Sequence, residues 1–147
     1  MSHAYARNYV HLVFSTREQR RLIKPEFEQQ LWTCLRSIAE GYGIEITAIG
    51  GCEDHVHIVL LLAPRISLAT IVRALKADSS KWMNDNGHLF GWQKGYGAFS
   101  VSSSNLASVV DYVQHQPEHH KERSYEQEFV ALLAKHGMSH TPEHVLG

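Results

Sequence analysis

The chain has 147 residues, 44% hydrophobic and 20% charged, with a formal net charge of −1. That is the length and composition of one ordinary globular domain, 1–147, and the near-zero charge argues against a generic polybasic nucleic-acid binder. The apolar run Ile58 to Ala63 stops at Pro64 and is too short to span a bilayer.

Between Met1 and Phe14 the polar residues His3, Arg7, Asn8 and His11 do not read as a signal peptide, so a cytoplasmic protein is expected. Cys34 and Cys52 form no CxxC pair and read as free thiols. Residues 1–81 carry a charge balance of +2 and residues 82–147 one of −3. The cations cluster at Arg17, Arg20, Arg21 and Lys24, then at Arg65, Arg73, Lys76 and Lys81. Any one such cluster is more often a solvated face than a binding site.

Tyr9 to Thr16 alternates, with Val10, Leu12 and Phe14 on one face and Tyr9, His11 and Val13 on the other, which predicts a strand. Pro25 opens a helix carrying Phe27, Leu31, Leu35 and Ile38, closed by Gly41 and Gly43. Ile44 to Ile49 is a second strand, Gly50 and Gly51 begin a turn, and His55 to Leu62 is a third strand. The second and third strands are expected to form a hairpin with a loop longer than the tightest turns.

Ser67 caps a second helix with Leu68, Ile71, Val72 and Leu75 as its buried stripe. Asn84 to Gly97 reads as a loop in which Trp92 and Tyr96 are candidates to stack on bases, although burial is the commoner fate of such residues. Ala98 to Ser102 is a fourth strand. Ser103 and Ser104 cap a third helix bearing Val109, Tyr112 and Val113, which Pro117 ends. Ser124 starts a fourth helix, with Phe129, Leu132 and Leu133 inward and Gly137 closing it. The order β-α-β-β-α-β followed by two helices predicts an α+β, ferredoxin-like antiparallel sheet with strands one and three central. The two added helices would cover the face left open by the first two.

His55 and His57 are two apart on a strand and point the same way, so each can offer an imidazole nitrogen to one metal. A lone His-x-His is short and more often satisfied by backbone or water, and the third His and the Cys ligands of familiar zinc sites are missing. Tyr112 and Gln116 are four apart and would share a face of one helix. Alone, a helical Tyr is usually a half-buried packing residue. Together, two neutral imidazoles and an amide oxygen make a mixed donor set suited to Mg²⁺ or Mn²⁺ supported by phosphate. A tyrosine one turn from such a metal can attack phosphorus.

His55-Val56-His57, the Tyr112 helix with Gln116, and His119-His120 resemble the single-tyrosine HUH transposases of small bacterial insertion sequences. So do Tyr9 to Thr16 (YVHLVFST) and Trp92 to Ser102 (WQKGYGAFSVS), and the match runs in order over nearly the whole chain. The chain is also similar to the REP-associated tyrosine transposases, which usually carry Asn-Pro where Gln116-Pro117 stands here.

The resemblance implies that His55, His57 and Gln116 bind a divalent metal, Mg²⁺ or Mn²⁺, and that Tyr112 is the nucleophile. It implies cleavage and rejoining of single-stranded DNA at hairpin-bearing element ends through a 5′-phosphotyrosine, by a homodimer. His11 is a candidate for orienting a metal-binding histidine. Arg17, Arg20, Arg65, Arg73, Lys76 and Lys81 are candidate DNA contacts. The alternatives are a domesticated HUH nickase, a non-enzymatic single-stranded nucleic-acid-binding ferredoxin-like domain, and a metal-dependent hydrolase in which Tyr112 is structural.

Overall fold

Alternation of apolar side chains builds four strands: β1 (Asn8–Ser15), β2 (Glu45–Cys52), β3 (His55–Leu62) and β4 (Gly97–Val101). All neighbouring pairs are antiparallel, in the order β2-β3-β1-β4, so β1 and β3 are central as the ferredoxin-like reading requires. The structure is a computed structural model describing residues 5–121 and 123–141; His3 lies outside them.

Helices α1 (Glu28–Gly41) and α2 (Leu68–Asp85) cover one face of the sheet. Leu31 and Leu35 from α1 and Ile71, Val72 and Leu75 from α2 join Leu12, Phe14, Val56, Ile58 and Leu60 in the main core. The opposite face takes α3 (Leu106–Gln114), a single turn α4 (Gln116–His119) and α5 (Tyr125–Lys135). Val113 of α3 buries Ala48 and Val59, and Phe129, Leu132 and Leu133 of α5 bury Val13 and Phe99. Among the described residues no helix is long and apolar enough to cross a membrane.

Two caps form as their residues predict. The Ser67 hydroxyl accepts from the Thr70 backbone N–H at the start of α2. Ser124 and Gln127 bond each other's backbone reciprocally at the start of α5. Ser103 and Ser104 do not cap α3; with Asn105 they make a 3₁₀ turn ahead of it. α1 begins at Glu28, after a turn that contains Pro25. α2 runs on to Asp85, two residues into the stretch expected to be loop.

Two local differences matter for the site. β2 continues through Gly50 and Gly51 to Cys52, so the hairpin turns on Glu53 and Asp54 alone and is a tight one. The glycines serve a close approach instead of a turn: a Cβ on Gly50 would lie 2.1 Å from the Val113 carbonyl oxygen. The backbone of α3 therefore rests directly on β2, opposite His57 in the ladder. The second difference is that α3 ends at Gln114, and Gln116 and Pro117 open α4. Proline lacks the N–H that an uninterrupted helix would need at that point. Tyr112 and Gln116 thus sit on successive helices, still linked by the Gln116 amide donating to the Tyr112 carbonyl at 3.3 Å.

Gly50→Ala should destabilise the chain by ~1–3 kcal/mol, because α3 must lift off β2. The urea midpoint should fall with an unchanged m-value. A midpoint equal to the parent's would show that α3 does not depend on this contact.

Candidate active site

β3 delivers His55 and His57 to the α3–α5 side of the sheet, and both are wholly buried. Asp54, in the hairpin turn, lies 2.7 Å from His55 Nδ1. Burial works against the Asp54 charge, but the His55 hydrogen bond together with the nearby His55 and His120 imidazoles outweighs it and holds the carboxyl below its usual range. With its Nδ1–H donated to Asp54, His55 keeps a lone pair on Nε2. That lone pair faces two more oxygens: Gln116 Oε1 at 3.1 Å and Glu128 Oε1 at 3.5 Å.

His57 is held from behind by His11, whose Nε2 lies 2.8 Å from His57 Nδ1. His57 Nε2 lies 2.9 Å from Glu128 Oε1. Burial lowers the pKa of His57 to about 4 and that of His11 to about 3, the latter helped by the neighbouring imidazole of His57. Both rings are therefore neutral near pH 7. In this arrangement His11 donates to His57, and His57 donates to Glu128.

Glu128 is the residue around which these groups gather. It comes from α5, has no exposed surface, and lies among three imidazoles. His120 Nε2 is 2.9 Å from the same Oε1 that His57 meets. The other carboxylate oxygen, Oε2, accepts from the Tyr112 hydroxyl. Burial pushes the Glu128 carboxyl up, yet the hydrogen bonds from His120, His57 and Tyr112 together bring it far below the usual range, so it is ionised. Arg123 Nη2 lies 3.3 Å from the Tyr112 oxygen, which thus sits between a carboxylate and a guanidinium. Burial, then the Glu128 hydrogen bond, raises the Tyr112 pKa to about 12.

One ligand atom from each of His55, His57, His120 and Glu128 falls within 4.8 Å of the others. The donor chemistry fits a cation. Around His55 Nε2 an amide oxygen and a carboxylate oxygen converge, a mixed nitrogen and oxygen donor set that a bound divalent ion would satisfy.

The structure brings His55, His57, Gln116 and Tyr112 together and places His11 behind His57. It adds Glu128, which the sequence reading did not single out, gives His120 a definite place, and adds Arg123. A signal for Glu128 was present. It occupies a position of the buried stripe Tyr125, Glu128, Phe129, Leu132, Leu133, where an unpaired charge would be costly. Tyr125, a further tyrosine beyond β3, is buried, packs on the His55 ring and bonds Gln93 at 3.1 Å.

The six candidate DNA cations do not join the site. Arg73, Lys76 and Lys81 ride on α2, with Arg65 just ahead of it, behind the sheet. Lys76 donates to the Lys94 and Gly95 carbonyls at 3.0 and 2.9 Å, bracing the loop before β4. Lys81 pairs with Asp85 at 2.8 Å and Arg20 with Glu18 at 3.2 Å, while the Arg65 and Arg17 guanidinia lie against Gly43 and Gly91. Trp92 is buried with its indole N–H on Ser79 at 2.9 Å, whereas Tyr96 is partly exposed. Cys34 and Cys52 are free thiols.

Residues 4–116 match the family model described as IS200-like transposase. The transposase of insertion sequence IS200 from Salmonella typhimurium LT2 is 28% identical over 122 residues, covering 76% of this chain and 78% of that one. The ISDra2 transposase TnpA of Deinococcus radiodurans is 28% identical over 120 residues, covering 76% and 84%. Among solved structures, a candidate transposase from Deinococcus radiodurans R1 superposes with a TM-score of 0.64 at 25% identity, covering 79% of this chain and 98% of the other. A REP-associated tyrosine transposase bound to a REP hairpin gives a TM-score of 0.58 over 77% of this chain and 68% of its own; at 16% identity it bears on the fold alone. The match of residues 4–116 takes in the whole sheet, both histidines of β3 and Tyr112, and the chain belongs to the IS200-like transposases.

Proposed function

We propose that this transposase cleaves and rejoins single-stranded DNA at insertion-sequence ends through a covalent 5′-phosphotyrosine on Tyr112. One observation carries the reading: the carboxylate that touches the metal-facing nitrogen of His57 also holds the Tyr112 hydroxyl. A nucleophile and an ion site share one buried group.

His55, His57 and Gln116 would hold Mg²⁺ or Mn²⁺, with Glu128 Oε1 as an anionic donor and His120 beside it. Metal binding at His57 Nε2 needs that nitrogen unprotonated. The ring's proton would then reside on Nδ1 and be donated to His11 Nε2, a tautomer that His11 can support by accepting. A bound divalent ion polarises the scissile phosphodiester and stabilises the charge that builds on its oxygens.

Glu128 Oε2 takes the proton from the Tyr112 hydroxyl as the phenolic oxygen attacks phosphorus. The P–O3′ bond breaks and the 3′-oxygen leaves, taking a proton from water to become a hydroxyl. Arg123 faces the same oxygen and can neutralise the phosphate as it arrives. Rejoining is the reverse: a DNA 3′-OH attacks the phosphotyrosine and gives its proton to water, and the proton on Glu128 returns to Tyr112. The ester conserves the bond energy, so no nucleotide cofactor is needed.

Hairpin-bearing ends and a homodimer belong to this reading through the family. Val59, on the histidine face, is already covered by Val113 of the same chain, so its burial makes no demand for a second copy.

The decisive experiment incubates the chain with single-stranded DNA from the flanks of its own gene and Mg²⁺ or Mn²⁺. A denaturant-resistant protein–DNA adduct should form. Tyr112→Phe should abolish it while costing about 1.5–3 kcal/mol of stability, the loss of a hydrogen bond to a buried carboxylate; an adduct that persists in this variant would sink the proposal. Glu128→Gln should slow adduct formation by roughly 10²–10⁴-fold.

Metal binding has its own readout. Mn²⁺ at ~100 times its Kd should stabilise the parent by about 2.7 kcal/mol, seen as a raised melting temperature. His57→Ala should lose this shift, and Gln116→Ala should regain part of it at higher Mn²⁺. Equal shifts in the parent and His57→Ala would place the ion elsewhere.

A further inference from the structure

Between α3 and α5, over β4, lies a trough of about 380 Å³ that the mechanism above does not use. The Tyr112 ring and Arg123 stand along it. Its walls present Ser108 from α3 and Lys135 and His136 from α5, and Phe99 of β4 forms part of the floor. The volume falls at the small end of the roughly 300–1,000 Å³ of ordinary ligand sites. A gap between two helices of that size admits one unpaired nucleotide and excludes a duplex.

Charge and ring chemistry point the same way. Lys135 and Arg123 line the trough, and no carboxylate is among the described residues that line it. The cleft on the other side of the α4–α5 link has Arg21 and Arg123 but also Glu28, Glu53 and Asp54, a poor seat for a phosphodiester. His136 stacks on Phe99 with ring centroids 4.5 Å apart and planes 26° from parallel. It is itself exposed, and so offers its outer face to a base. Ser108 is exposed on the opposite wall and supplies a hydroxyl that can donate or accept.

We propose that this trough seats one unpaired nucleotide next to the scissile phosphate, its base against His136 and its phosphates towards Lys135 and Arg123. The assignment rests on Tyr112 being the nucleophile. It makes α3 and α5 the two jaws of a single-strand channel that ends at the tyrosine oxygen. Single-strand selectivity then follows from shape, since a paired base cannot enter.

Protection chemistry tests this directly. In Ser108→Cys, alkylation of the introduced thiol by N-ethylmaleimide is followed by peptide mapping, which separates it from Cys34 and Cys52. A single-stranded oligonucleotide from the gene's flank, at ~10 times its Kd and with EDTA present, should slow the reaction about tenfold by mass action. A blunt duplex of the same sequence should protect little. In parallel, Lys135→Gln should reduce the salt dependence of single-strand binding by about 0.7 in slope, the value for one phosphate contact.

Alkylation that proceeds equally fast with and without bound single strand overturns the proposal, as does equal protection by the duplex. The outcome is separable from that for Tyr112. If the parent forms adducts but the thiol of the Ser108→Cys variant is unprotected, the trough alone is wrong. If that thiol is protected but no adduct forms, the seat stands and the cleavage reading fails.

Discussion

A carboxylate removed completely from water costs several kcal/mol unless its oxygens are met by donors and positive charge. Glu128 is such a group, and the α3–α5 side of the molecule is arranged around it. His57 and His120 meet one oxygen and Tyr112 the other, so β3, the α4–α5 link and α3 all converge on one side chain of α5. The carboxylate reaches that point because α5 is fixed at both levels. Its first turn is closed by the Ser124–Gln127 capping box, and its apolar stripe packs on Val13 and Phe99. The site is thus coupled to the docking of a helix whose apolar contacts lie elsewhere. Residues 4–116 match the family model, and Glu128, His120 and Arg123 lie beyond that span. The portion of the site that holds the tyrosine oxygen is therefore built by the part of the chain outside the match.

The histidines are tuned from behind. Asp54 takes the Nδ1 side of His55 and His11 takes the Nδ1 side of His57, which leaves both Nε2 atoms aimed at the same small volume. The two supports differ in charge. Asp54 draws His55 towards one tautomer whether or not an ion is bound. His11 is neutral and can either donate or accept, so on the proposed reading the His11–His57 pair would change tautomer when an ion replaced the carboxylate as the partner of His57. A second carboxylate behind His57 would hold its proton on Nδ1 permanently and leave Glu128 without that donor in the ion-free state.

Legibility in the sequence followed the length scale of each signal. The period-two alternation of β1 and β3 placed His55, His57 and His11 on one face, because strand periodicity is local and a register slip would have turned the core outward. The four-strand order followed from the β-α-β-β-α-β pattern. Gly50 was misread because glycine marks both turns and close approaches, and only the position of α3 distinguishes them. The Tyr112–Gln116 spacing placed both at the site although the helix between them is broken; the Gln116 amide on the Tyr112 carbonyl preserves the relation. Glu128 and Arg123 went unread because their partners are 71 and 11 residues away in sequence, and no local pattern reports a contact of that kind.

The two faces of the sheet divide the work. The α1–α2 face holds the larger apolar core and, with it, most of the cations that looked suited to DNA. Several of those are spent on the fold, as Lys76 is on two backbone carbonyls. The α3–α5 face belongs to the half of the chain with a balance of −3, yet its acidic groups are arranged unevenly. Asp111, Glu118 and Glu126 are exposed, while Glu128 is buried among histidines. A protein that captured DNA by long-range attraction alone would carry its positive charge around the nucleophile. Among the described residues the positive charges near Tyr112 are few and local, chiefly Arg123 at 3.3 Å from its oxygen and Lys135 along the trough. On the proposed reading, recognition on this face depends on the shape of an unpaired strand and on short-range contacts. That is consistent with a chain whose net charge is close to zero and whose Tyr112 oxygen lies between two helices.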